Sequence, residues 1–318
     1  MKYSGIGGQA VIEGIMMMKG EDYAVAVRRP DKEIEVKKDT YQSITKKAKI
    51  LQLPFVRGVF RFADSMIVGM RALTWSCSFF EDDEDAEPGK FEQLLDRVFG
   101  EKLESAIMAA VLVISFILAI GIFMLLPLGI ANLFKGVITS DHLMAVLEGV
   151  IRIAIFIIYI KLVSRMEDIR RTFMYHGAEH KCINCVEHGH PLTVKYVRES
   201  SKEHKRCGTS FILIVMVISI LMFMVIRVDT IWMRILSRII LVPVIAGISY
   251  EVLQCAGRSN SKFMDLVSRP GMWMQGLTTK EPDDSMIEVA IAATEAVFDW
   301  REYLTENFPG WEKQLEES

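Results

Sequence analysis

The chain has 318 residues, 51% of them hydrophobic and 24% charged, with a formal net charge of −3. That apolar share, gathered into a few long runs, argues against an ordinary soluble domain, and charge so near balance gives no reason to expect a nucleic-acid partner. Five cysteines, an odd count, argue for reduced thiols rather than a disulfide framework.

In chain order, residues 1–40 read as β structure. Gly5, Gly7 and Gly8 open a flexible start. Ala10–Met18 is an apolar strand interrupted at Glu13-Gly14, and Tyr23–Arg29 and Glu33–Lys37 alternate about a Pro30-Asp31-Lys32 turn. The glycines match no phosphate loop, because no Gly-Lys-Ser/Thr follows them. Residues 55–80 read as a helix with a narrow polar stripe of Arg57, Arg61, Asp64 and Arg71. Such a helix either lies in the membrane interface, arginines toward headgroups, or serves as a core helix of a polar domain. Glu81–Glu87 reads as a solvated acidic loop. The first hundred residues lack a basic–apolar–cleavage pattern, so no secretory signal is expected.

Four apolar runs follow: Ala106–Phe134, Leu143–Val163, Phe211–Ile226 and Ile235–Cys255. A helix needs about 20 apolar residues to cross a bilayer. The first run exceeds that and is expected to tilt or kink at Pro127. The third falls short unless Gly208–Ser210 extend it. Residues 164–207 carry a marked Lys/Arg excess over the two short connections, which places this segment on the cytosolic side of the cell inner (cytoplasmic) membrane, with both termini. Glu148 and Arg152, four residues apart in the second run, read as a buried ion pair that Arg238 joins, in preference to the lining of a transport path. After the fourth run, Pro270-Gly271 reads as a turn and Thr278–Asp284 as a linker. Ser285 and Glu288 have capping-box spacing, and Met286, Val289, Ala290, Ala293, Val297 and Trp300 form one apolar helical face.

The expected fold class is therefore an α-helical polytopic membrane protein. Two transmembrane hairpins (105–163 and 208–256) join a mixed α+β cytosolic domain built from residues 1–104, 164–207 and 257–318.

Chemistry concentrates between His176 and Cys207, which hold eight of the chain's eleven histidines and cysteines. His176-Gly-Ala-Glu179-His180 puts two imidazoles on one helical face, with the pattern of inverted zinc peptidases, whose histidines bind zinc and whose Glu activates water. A peptidase of that class also needs a downstream acidic ligand. Gly177 weakens the helix by about 1 kcal/mol relative to Ala. Cys182 and Cys185 have Cys-x-x-Cys spacing without a second pair to make a zinc ribbon. His204 and Cys207 precede the third run, and counting inward from the short outer connection puts Cys207 and Glu251 at similar depth. His176, His180, His204 and Cys207 are the candidate ligands for zinc or another divalent metal, and Glu179, Cys207 and Glu251 the candidate catalytic groups. Individually, each also fits a turn cap or packed polar residue.

The stretches Gly7-Gly-Gln-Ala-Val-Ile-Glu13-Gly, Tyr175-His-Gly-Ala-Glu-His-Lys181, Arg206-Cys-Gly-Thr-Ser-Phe211, Ala246-Gly-Ile-Ser-Tyr-Glu251 and Leu277-Thr-Thr-Lys-Glu-Pro-Asp-Asp-Ser285 resemble the YqhQ-like family of bacterial membrane proteins. That resemblance implies a metal-dependent enzyme of unassigned reaction and points to His176, Glu179, His180, His204, Cys207 and Glu251. Cys182 and Cys185 stand outside the family pattern. Two readings remain: a membrane-embedded metal-dependent hydrolase, or a non-catalytic accessory factor docked on a membrane complex such as the protein-translocation channel or a membrane protease.

Overall fold

The computed structural model describes residues 2–80, 103–204, 206–226, 230–258 and 261–315; the acidic run Glu81–Glu87 lies outside them. The N-terminal segment forms an antiparallel meander, β1 (Ile6–Val11), β2 (Gly14–Lys19), β3 (Asp22–Arg28) and β4 (Ile34–Thr40), in sequential order. Gly7 and Gly8 are part of β1, not a flexible start. A Cβ on Gly8 would lie 2.6 Å from the Met16 carbonyl oxygen and 3.0 Å from Glu179 Cγ, so this strand position has no room for a side chain. The expected break in the first apolar strand is the hairpin turn, where Glu13 takes φ 47°.

Strand alternation sorts the sheet's side chains to two faces. Ile6, Ile15, Met17 and Ala26 pack against α5 (Glu167–Glu187) and α10 (Asp284–Val297), while Val11, Met16, Tyr23, Val25 and Val27 pack against Val68 and Ala72 of α1 (Val56–Cys77). Coverage of both faces explains why β2 reads as a continuous apolar run. α1 bears out the core-helix expectation on one side, while Phe62, Met66 and Met70 at four-residue spacing form an exposed apolar stripe on another. α11 (Trp300–Asn307) closes the larger core with Trp300, Tyr303 and Leu304, so Trp300 belongs to this next helix.

Among the described residues, four stretches are long and apolar enough to cross a membrane: Val113–Asn132, Asp141–Val163, Gly208–Val225 and Ile235–Ala256. The first comprises α2 (Leu103–Ile120), a π-helical turn (Gly121–Leu125) and α3 (Leu126–Asn132). The irregularity thus falls before Pro127 rather than at it, where the proline ring meets the preceding turn. α4 (Asp141–Val163) and α7 (Gly208–Val225) follow, α7 gaining the length that Gly208–Ser210 supply. α8 (Ile231–Arg258) runs unbroken through Pro243.

Two C-terminal expectations need correction. Pro270-Gly271 is not a turn but the interior of α9 (Lys262–Thr278), where a Cβ on Gly271 would sit 2.7 Å from Ser210 Oγ; the glycine serves close helix packing. α10 is capped by Asp283, whose carboxylate accepts from Met286 N, and not by the Ser285/Glu288 pair. A short helix, α6 (Val194–Glu199), follows α5.

A candidate metal centre at the junction of two layers

α5 carries His176, Glu179 and His180 on adjoining turns, and Cys207 stands at the N-cap of α7. The structure brings His176, His180 and Cys207 together, with one ligand atom from each lying within 4.8 Å of the others. His176 Nε2 is 3.3 Å from Cys207 Sγ, and the two imidazole centroids are 4.4 Å apart. Cys207 Sγ also receives the Thr209 backbone N–H at 3.4 Å and lies 2.7 Å from the Thr209 hydroxyl.

Both rings are oriented from behind. His176 Nδ1 lies 3.0 Å from the Thr278 carbonyl at the end of α9, and His180 Nδ1 lies 2.7 Å from the Lys202 carbonyl. A carbonyl oxygen only accepts, so each Nδ1 carries a proton, and in the neutral ring each Nε2 presents its lone pair. This is the outer-shell arrangement that fixes metal-binding histidines. The cluster can therefore hold a metal ion.

Gly177 is explained by the same approach. A Cβ there would meet the Lys280 carbonyl oxygen at 2.0 Å, so the residue that lowers helix propensity is the one that admits the chain at 278–280. Lys280 N also donates to Phe173 O at 2.9 Å. The 198–204 segment is held by side chains of α5. Lys181 Nζ donates to the Arg198 and Ser200 carbonyls, and Asn184 Nδ2 to those of Ser201 and Glu203.

The remaining candidates separate. Glu179 is buried beneath Gly8; burial raises its pKa, against the pull of His176 and the Gly8 amide. His204 is not one of the three. Its Nε2 faces Glu187 Oε2 at 3.7 Å, and its ring centroid is 5.7 Å from that of His180. Burial drives His204 down to about 4, against the attraction of Glu187, and the ring is neutral. Burial works to raise Glu187, yet His204, Arg206 and Ser4 outweigh it and hold this carboxyl at about 2.

Glu251 is not brought to the cluster either. Its carboxylate takes two hydrogen bonds from Arg57 at 2.7 and 2.6 Å, and α1 reaches it because Gly58 and Gly247 allow close contact with α8. Equal depth did not mean a shared side: azimuth about the helix axis decides which neighbour a side chain meets. Cys182 and Cys185 are core residues, their thiols pushed up by burial, and Cys185 Sγ donates to the Pro191 carbonyl at 3.3 Å. Among the described residues no carboxylate joins the cluster; its third member is a thiol, where the inverted zinc-peptidase pattern calls for an acidic group.

Sequence reasoning missed the supporting groups. Gln275, fully buried, accepts from His204 N at 2.9 Å and donates to the His204 carbonyl at 2.7 Å and to Ser210 Oγ at 2.8 Å. A lone Gln in an amphipathic helix gives no signal. The Leu277–Ser285 stretch did signal importance, but what it contributes at Thr278 is a backbone carbonyl, which no residue type announces. Glu13 pairs with Arg171 at 2.5 and 2.6 Å and receives the Tyr175 hydroxyl at 3.3 Å, tying the first hairpin to α5 one turn before His176.

No solved structure matches the chain. It is 34% identical to the uncharacterized protein YqhQ of Bacillus subtilis (strain 168) over 286 residues, 90% of this chain and 89% of that one. Residues 53–300, which contain the three clustered ligands, match the family described as "Protein of unknown function (DUF1385)", and the chain belongs to that family.

Proposed function

We propose that this protein is a metal-dependent hydrolase working where its apolar bundle meets the cytosol. The convergence of His176, His180 and Cys207, with both Nε2 lone pairs turned inward, carries the reading. Three protein ligands leave a tetrahedral ion one open position, the arrangement of catalytic rather than structural zinc sites. A zinc or similar divalent ion bound there would polarise a substrate oxygen and supply a water nucleophile at neutral pH. Glu179, beside His180 in sequence and electrostatically coupled to His176, is the proton acceptor in this reading. The Thr278 and Lys202 carbonyls hold the ligand rings in one tautomer. The Lys/Arg excess of residues 164–207 supports a cytosolic site and an inner-membrane location. The exposed stripe on α1 supports contact with the bilayer surface.

The test is metal stoichiometry of the full-length, detergent-purified protein. One equivalent is expected in the wild type and in Glu179→Gln, and none in the His176→Ala/His180→Ala double variant. Absence of metal from wild type after reconstitution with zinc, manganese, iron or cobalt would overturn the reading. A Glu179→Gln protein as active as wild type on a hydrolysable substrate would remove that residue's role.

A further inference from the structure

The bundle's other end, away from the histidines, holds a second buried polar assembly. Glu148 and Arg152 of α4 and Arg238 of α8 are each at most 9% exposed. Arg152 Nη2 donates to Glu148 Oε1 at 2.7 Å and Arg238 Nη2 to Oε2 at 2.5 Å, so one carboxylate serves two guanidiniums. Arg152 Nη1 donates to the Ser219 hydroxyl at 3.0 Å. Phe223 lies against both guanidiniums, 5.6 and 5.1 Å from ring centroid to carbon. Its π face attracts cations but neutralises neither. The triplet keeps one surplus positive charge, and among the described residues Arg152 Nε and Arg238 Nη1 are buried without a hydrogen-bond partner. Unpartnered buried donors on charged groups are costly.

Arg238, Glu148 and Phe223 line a cavity of about 290 Å³ whose polar wall also includes Asn132, Thr139, Ser237 and the opposite charges of Lys135 and Asp141. Glu148 and Arg238 each stand seven residues in from the helix ends at Asp141 and Ile231. At about 1.5 Å per residue this is roughly 10 Å below the end of the bundle. A headgroup phosphate settling between helices, or a small anion entering from water, can reach that depth.

We propose that this cavity is a binding site for an oxyanion of the phosphate class. Arg238 Nη1 is the donor, and the ligand's charge cancels the surplus of the triplet. The ion pair alone explains how the helices are held; it does not explain an extra guanidinium, carrying an unpartnered buried donor, in the wall of an open volume.

The test uses the full-length protein in neutral detergent and follows thermal unfolding in two arms. One titrates inorganic phosphate at constant ionic strength, and the other adds phosphatidylglycerol against phosphatidylcholine. A saturable rise in Tm in either arm, absent in Arg238→Gln, supports the site, and the responding arm tells free anion from lipid headgroup. Glu148→Gln removes the competing carboxylate and should bind the responding probe severalfold more tightly. A purely structural triplet predicts no such gain. No saturable rise in either arm, or the same rise in Arg238→Gln, overturns the proposal. Where Arg238→Gln does not fold, Glu148→Gln decides: unchanged or weaker binding overturns it.

Discussion

The two buried polar assemblies are satisfied in different ways. On α5, His176, His180, Lys181 and Asn184 all have backbone carbonyl partners, drawn from residues 198–203 and 278. In the bundle, Glu148, Arg152 and Arg238 pair with one another and with Ser219 and, among the described residues, leave two buried guanidinium donors without an acceptor. Irregular chain beside α5 supplies fixed carbonyl dipoles that aim side chains without spending their charge. Regular transmembrane helices have no spare carbonyls to give, so charge must be met by charge or by a ligand. The first assembly gathers two imidazoles and a thiol, and the second is left with a surplus guanidinium.

The largest expected effect is at the first. Loss of both histidines should abolish metal binding altogether, as elemental analysis will show, whereas Cys182→Ala should leave the metal content unchanged. If the two variants behaved alike, the geometric distinction between ligand and core cysteine would be wrong.

Next, Glu148→Leu leaves two arginines facing each other in an apolar bundle. It should destabilise by about 3–5 kcal/mol, the range for breaking a buried pair. Denaturant melts that differ by under about 1 kcal/mol would show the charges to be solvated, removing the contrast drawn above. Gly177→Ala should cost about 3 kcal/mol despite the better helix former, because its methyl overlaps the Lys280 carbonyl at 2.0 Å. A stabilised Gly177→Ala protein would mean that the 278–280 segment does not pack on α5.

Acid should loosen the α5 side before the bundle. His204 at about 4 lies below its ordinary 6.5, and Glu187 at about 2 below its ordinary 4.5. Both groups bind fewer protons folded than unfolded, so stability rises with pH through both windows. The His204 share is complete above pH 6.5 and lost as pH falls toward 4; the Glu187 share is complete above 4.5 and lost toward 2. Denaturation curves across this range, run with chelator to exclude metal release, should flatten between pH 6.5 and 4 in His204→Gln. An unchanged slope would place His204 outside the buried network. At the small end, Arg198→Ala breaks an exposed pair with Asp284 and should leave Tm within error.

Much of this was legible from the residues alone. The β character of residues 1–40, the α1 helix, the apolar runs and the Glu148–Arg152–Arg238 triplet follow from local periodicity and from the high cost of isolated charge in an apolar run, whereas β1 itself was hidden by its glycines. Short-range preferences misled at Pro270, where packing of Gly271 on Ser210 overrides the turn signal. They also misled at Ser285, where Asp283 offers its carboxylate first.

For the site, sequence determined that histidines and thiols gather beside a helix start, and that His176 and His180 share a face. Tertiary structure decided which of them meet. It gave Glu251 to Arg57, His204 to the Glu187 side, and two anonymous carbonyls to the ligand imidazoles. The reason is physical: spacing along a chain fixes direction within one helix, while the rotation of one helix against another and the path of a returning loop are set by contacts between residues far apart in sequence.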